Sequence, residues 1–241
     1  MSTIQNSWLV ERPIAHRGLH NNDTVPENSL KAFSLCIDKN IPIELDVRVT
    51  KDNQIVVFHD DKLSRMTEID GYVNNLNYAD IINAKLLKTN ETIPLFSDVL
   101  KLVDGKVPIL IEIKNINGVS FEKELWELLK NYKGEYAIQS FNPLILEWFK
   151  LNAPQVKRGQ LSSFFKGEKG ISFVKKFVLK RLKLTKRSEP NFISYKLEDL
   201  PNKYVKKFKD IPVLCWTVKS NEDVEKAKKV ADNYIFQDLY N

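Results

Sequence analysis

The sequence predicts an α/β protein, a (β/α)8 barrel with a small insertion after its second strand. Short β-branched runs alternate with longer amphipathic stretches, the pattern of a parallel α/β protein. Eight such runs fall within 241 residues, the usual length of one closed barrel. No Gly-rich phosphate loop follows the first strand, which argues against an open dinucleotide-binding sheet.

The expected strands are 13–16, 41–47, 109–113, 136–139, 156–161, 191–195, 211–217 and 233–236. Helices are expected over 29–39, 97–103, 121–132, 143–151, 173–184, 202–208 and 221–230. The run Ile55–Phe58 does not fit as a ninth barrel strand. Only Lys51-Asp52-Asn53-Gln54 joins it to the second strand, too short for a parallel crossover, so a hairpin is expected. Such a hairpin turns near Asp52-Asn53 and brings His59 back to the level of Asp46. Residues of about 60–95 then form an irregular insertion, and residues 1–241 read as one domain.

Apolar residues make up 43% of the chain, enough for a core. No run approaches the 18 or so apolar residues of a membrane span. The stretch Met1–Val10 has neither a basic start nor an apolar core of signal length, so a cytoplasmic protein is expected. Cys36 and Cys215 lack metal-site spacing and read as two buried thiols. The net charge of +6 comes mainly from lysines on nearly every expected helix, which reads as compositional bias. No aromatics alternate with them, so nucleic acid is not an expected partner. In 170–184, Ile171, Val174, Phe177, Val178 and Leu182 recur at helical spacing, with lysines turned elsewhere. An ordinary outer helix is the first reading, and a basic surface in weak contact with anionic membrane is the second.

Chemistry concentrates near the start. His16 and His59, two of only three histidines, each close a β-like run and bracket Glu44-Leu45-Asp46. Histidine suits proton transfer near neutrality, and carboxylates two apart on a strand point the same way, as metal ligands must. Acid, base and cation site together suggest a phosphotransfer or phosphohydrolase centre. Glu112 and Lys114 alternate inside an apolar run, and charges aimed into a barrel from mid-strand call for a function. Glu27 and Asn28 either begin the helix after Pro26 or, for Glu27, join the site. Trp216 is either core or a wall for substrate, and His20, in a polar loop, is expected to be solvated.

These residues resemble the glycerophosphodiester phosphodiesterase family. The matching pieces are His16-Arg17-Gly18, Pro26-Glu27-Asn28-Ser29, Glu44-Leu45-Asp46-Val47, Thr50-Lys51-Asp52, Val57-Phe58-His59-Asp60 and Glu112-Ile113-Lys114. Gln139-Ser140-Phe141 and Trp216-Thr217-Val218 follow in the family's order. The resemblance implies a barrel enzyme that hydrolyses glycerophosphodiesters to glycerol 3-phosphate and an alcohol with one divalent cation. It makes His16 and His59 the acid/base pair and Glu44, Asp46 and Glu112 the metal ligands. Arg17 and Lys114 face the phosphate, and Glu27 and Trp216 stand as pocket candidates. An all-carboxylate ligand set suits Mg²⁺ or Ca²⁺ over Zn²⁺. The alternative is a lysophospholipase D or phosphoinositide phospholipase activity on lipids. Two places depart from the family pattern, Met66-Thr67-Glu68 in the insertion and Gln237-Asp238-Leu239 after the last strand. Both lie outside the expected acid/base and metal positions and bear on the insertion and the pocket.

Overall fold

The computed structural model describes residues 7–114, 120–168 and 170–239. Nine strands hydrogen-bond in the order β1-β9-β8-β7-β6-β5-β4-β2-β3, and β1 also pairs with β2. Eight parallel strands therefore close into a barrel, and β3 is an extra strand attached to β2. Two compact units are distinguished, one of residues 15–136 and one of residues 7–14 and 137–239.

The first unit contains β1 (Ile14–Ala15, from its second residue), α2 (Leu30–Asp38), β2 (Ile43–Val49), β3 (Ile55–Val57), α3 (Tyr78–Ile81), α4 (Phe96–Val103), β4 (Ile109–Ile113) and α5 (Glu122–Leu129). Every residue of β2 and β4 is buried, as expected of strands covered on both faces. Pro42 has no N–H for the ladder, so β2 begins at Ile43, with Pro42 accepting only from Ala15 N–H. The expected hairpin forms: β2 and β3 are antiparallel, with Val47 opposite Val57 and Val49 opposite Ile55. This pairing carries β2 two residues beyond the expected Val47. Residues 60–95 are irregular, with one-turn helices at Leu63–Arg65 and Val73–Asn75. Their Leu63, Met66, Val73, Ile81, Leu86 and Ile93 pack with Val56 and Phe58 in one apolar cluster.

The second unit contains α1 (Trp8–Glu11), β5 (Tyr136–Ser140, from its second residue), α6 (Pro143–Asn152), β6 (Lys157–Ser162), α7 (Phe173–Lys180), α8 (Thr185–Ser188), β7 (Phe192–Lys196), β8 (Val213–Val218), α9 (Asn221–Val230) and β9 (Asn233–Phe236). The α6 start is fixed by Asn142, which accepts from Leu144 N–H, with Pro143 in the first turn. Ser220 caps α9 in the same way through Asp223 N–H. Gly159 in β6 is required by packing, because a Cβ there would lie 2.1 Å from the Phe192 ring.

Two expected helices differ. Residues 202–208 form only turns: Asn202 caps the start by accepting from Tyr204 and Val205 N–H, but Val205 alone offers a buried apolar side chain, so no apolar stripe holds further helical turns on the core. The stretch 173–184 ends as a helix at Lys180, and no residue of α7 is buried. Cys36 and Cys215 are free and buried, and burial pushes both thiols up to about 12. No helix among the described residues is long and apolar enough to cross a membrane.

Candidate active site

Alternation along β2 sends Glu44 and Asp46 to one face, and the parallel register sets Asp46 beside Glu112 on β4. One oxygen from each of the three lies within 4.8 Å of the others, and all three residues are buried. Such a cluster is costly unless a cation offsets it. Burial, and then the negative charges of Asp46 and Glu112, push the Glu44 carboxyl well above the usual range.

Lys114, two residues past Glu112, supplies part of the counter-charge. Its Nζ lies 2.6 Å from Glu112 Oε1 and 2.9 Å from Asp46 Oδ1. Burial favours the neutral amine, yet those two carboxylates outweigh it and raise the Lys114 pKa. For Asp46, burial favours the neutral acid, but Lys114, His59, Arg17 and His16 together hold its pKa well below the usual range. The donor set, three clustered carboxylates with no sulfur, fits a hard divalent cation.

The turn after β1 delivers the arginine. Arg17 and Gly18 are both left-handed, at φ of 56° and 79°. A Cβ on Gly18 would approach Ala32 Cβ to 2.9 Å, so the turn can press against α2 only with glycine there. The turn aims the Arg17 N–H at Glu44 Oε2, 3.0 Å away. It also sets the guanidinium 2.7 Å from Glu27 Oε1 and 3.4 Å from Asp46 Oδ2.

The motif Pro26–Ser29 divides its labour. Ser29 caps α2 through Ala32 N–H, and Glu27 faces the site rather than the helix start. Asn28, also left-handed at φ 57°, donates from Nδ2 to Asp46 Oδ2 at 2.9 Å. Its Oδ1 accepts from Asp46 N–H at 3.3 Å. A left-handed non-glycine residue costs about 1 kcal/mol, and two of them meet here.

The hairpin delivers the second histidine. Phe58 N–H donates to Asp46 O at 2.9 Å, so His59 emerges level with the carboxylates. His59 Nδ1 lies 2.6 Å from Asp60 Oδ1. Arg65 then bridges the two sides, binding both Asp60 oxygens and forking onto Glu27 at 2.6 and 3.1 Å. Burial would raise both carboxyls, but their hydrogen bonds outweigh it. The bond from Arg65 and the charge of Arg17 hold Glu27 at about 2, and the bonds from His59 and Arg65 hold Asp60 well below its usual range. Arg48 Nε donates to the His59 carbonyl at 2.8 Å, fixing the backbone behind the ring.

His16, half-buried, follows β1 directly, and its charge is among those that act on Asp46. Thus His16, Arg17, Glu27, Glu44, Asp46, His59, Glu112 and Lys114 all belong to one unit and form one constellation. His20 is buried, against the expectation of a solvated side chain. Trp216 lies in the other unit, on β8, edge-on to Phe141 with ring centres 5.7 Å apart. Its indole N–H is buried and has no hydrogen-bond partner among the described residues. Sequence reasoning missed Asp60, Arg65 and the grip of Asn28 on Asp46. The pairing of His59 with the next residue was the one available signal.

Residues 16–239 match the glycerophosphoryl diester phosphodiesterase family. A glycerophosphodiester phosphodiesterase of Caldanaerobacter subterraneus is 34% identical over 161 residues, 61% of this chain and 65% of that protein. A lysophospholipase D of Rattus norvegicus is 33% identical over 141 residues, 53% of this chain and 44% of its own length. The matched stretches thus span less than two thirds of these relatives. An Oleispira antarctica phosphodiesterase, solved with its product sn-glycerol-3-phosphate, shares the fold at a TM-score of 0.80 and 21% identity, covering 95% of this chain and 93% of that one. With the match running from His16 to Leu239, the chain belongs to the glycerophosphoryl diester phosphodiesterase family.

Proposed function

We propose that this protein is a metal-dependent phosphodiesterase that hydrolyses glycerophosphodiesters to glycerol 3-phosphate and an alcohol, with residues 1–241 acting as one catalytic domain. The observation that carries the reading is the buried trio Glu44, Asp46 and Glu112, ringed by Arg17, Lys114 and His59. Glu44, Asp46 and Glu112 would hold one Mg²⁺ or Ca²⁺. A cation held there would supply positive charge to offset that of the phosphoryl group.

Arg17 and Lys114 supply fixed positive charge for the same anion. The Asp60 carboxylate on Nδ1 holds the His59 ring in orientation, which leaves Nε2 to take a proton from the attacking oxygen. His16 then protonates the departing alkoxide. Glu27 orients Arg17, and Trp216 stays a candidate for the substrate pocket.

The likeness to a lysophospholipase D supports a second reading, in which the diester belongs to a lysolipid. One panel tests both: glycerophosphocholine, glycerophosphoethanolamine, glycerophosphoinositol and lysophosphatidylcholine, with products identified by ³¹P NMR. The first reading expects glycerol 3-phosphate from the deacylated diesters. Lysophosphatidic acid from the lysolipid alone would favour the second, and no turnover of any of them would refute both.

A further inference from the structure

The basic excess of the chain is not evenly spread. Residues 166–187 hold nine lysines and arginines and one glutamate, a net charge of +8 against +6 for the whole chain. Everything else therefore sums to −2. Compositional bias does not produce that division.

The same segment contains α7, which buries none of its residues, whereas α6 buries Pro143, Ile145, Leu146 and Phe149. Phe173 and Val174, adjacent in its first turn, are 79% and 70% exposed. Phe173 is the most exposed large apolar side chain among the described residues. Such a pair on the exposed first turn of a helix, whose later residues are only half-buried, calls for a partner. The helix is nonetheless held in place: Ser172 caps it through Lys175 N–H, and Leu182 and Thr185 anchor the chain just beyond.

Cations gather around Phe177, one turn further along the helix. The Arg181 guanidinium sits 3.4 Å from the centre of the Phe177 ring, and Lys183 Nζ lies 4.9 Å from it. Among the described residues, none of Lys166, Lys175, Lys180, Lys183 and Lys186 forms an ion pair with a carboxylate. Five ammonium groups without carboxylate partners in the segment that carries the exposed Phe173 and Val174 fit a surface that offers anions outside and hydrocarbon within.

We propose that residues 166–187 dock on an anionic phospholipid bilayer, with Phe173 and Val174 entering the headgroup region and the lysines resting on lipid phosphates. Lipid is favoured over nucleic acid because a phosphate backbone gives the adjacent Phe173 and Val174 nothing to bury against. This contact is independent of the hydrolytic site and of the reading proposed for it. Each lysine near an anionic surface contributes several-fold to binding, and that contribution is screened by salt.

The test is co-sedimentation of the full chain with vesicles of phosphatidylcholine alone or mixed with phosphatidylglycerol, at low and high salt. Binding is expected only to the mixed vesicles, weakened roughly tenfold or more at high salt. F173S/V174S should weaken it by roughly tenfold, the scale of losing buried apolar side chains, and K175E/K180E should abolish it. Both variants should keep the far-UV circular dichroism and Tm of the wild type, which shows that they fold. As an independent arm, F173W should gain quenching by brominated lipid in mixed vesicles. Absence of binding at low salt, unchanged binding by K175E/K180E, or no added quenching in F173W would overturn the proposal. So would F173S/V174S binding as the wild type does, or tight capture of a DNA duplex that survives F173S/V174S.

Discussion

Arg65 ties the two halves of the site together, so its removal tests whether that link stabilises the fold. Glu27, 5% exposed, is held at about 2 against its usual 4.5. At about 1.4 kcal/mol per pKa unit, this depression corresponds to about 3 kcal/mol of stability. Burial opposes it, and the Arg65 hydrogen bond is the largest favourable cause, ahead of Arg17. Because Arg65 is 44% exposed, screening reduces its share to about 1–2 kcal/mol. The sign follows from a depressed carboxyl pKa: the stabilisation is full above 4.5 and is lost as pH falls through about 2. Arg65→Met should therefore lower the unfolding free energy by about 1–2 kcal/mol at neutral pH, with the gap narrowing below pH 4.5. Arg65→Lys, which keeps the charge but not the fork, should fall between the two. Urea unfolding across this pH range measures the gap directly. A gap that stays constant from neutral pH to about pH 3 would refute the reasoning.

Two further outcomes are expected. His16→Ala and His59→Ala should each lower kcat by roughly 10²-fold or more without lowering Tm, the scale of general acid–base catalysis; activity within a few-fold of wild type would make that histidine structural. Asn28→Gly keeps the left-handed backbone but removes the amide that grips Asp46, so cation affinity by titration calorimetry should fall roughly 10-fold or more, and an unchanged affinity would show that Asn28 only shapes the loop.

The strand pattern and the hairpin were legible because each rests on local signals. Strands β4 and β9 lie at the expected bounds, since a buried parallel strand is a continuous apolar run closed by turn residues. The return of His59 to Asp46 followed from loop length alone. The clustering of Glu44, Asp46 and Glu112 was legible from alternation on two strands together with the family resemblance. Asn28 and Arg65 were not legible, because their meaning depends on contacts 18 and 38 residues away. Residues 202–208 misled because spaced lysines around one valine imitate an amphipathic helix without a stripe to bury. His20 misled through its polar neighbours, since loop composition does not report burial.

The central claim is that hydrolysis depends on a cation held by Glu44, Asp46 and Glu112. The most direct measurement is glycerophosphocholine hydrolysis by chelator-treated protein as Mg²⁺ or Ca²⁺ is added back, for wild type and Asp46→Asn. Chelation should abolish turnover, one of the two ions should restore it in the wild type, and Asp46→Asn should stay inactive at cation levels that saturate the wild type. Full activity in excess EDTA, or restoration of Asp46→Asn alongside the wild type, would contradict the account.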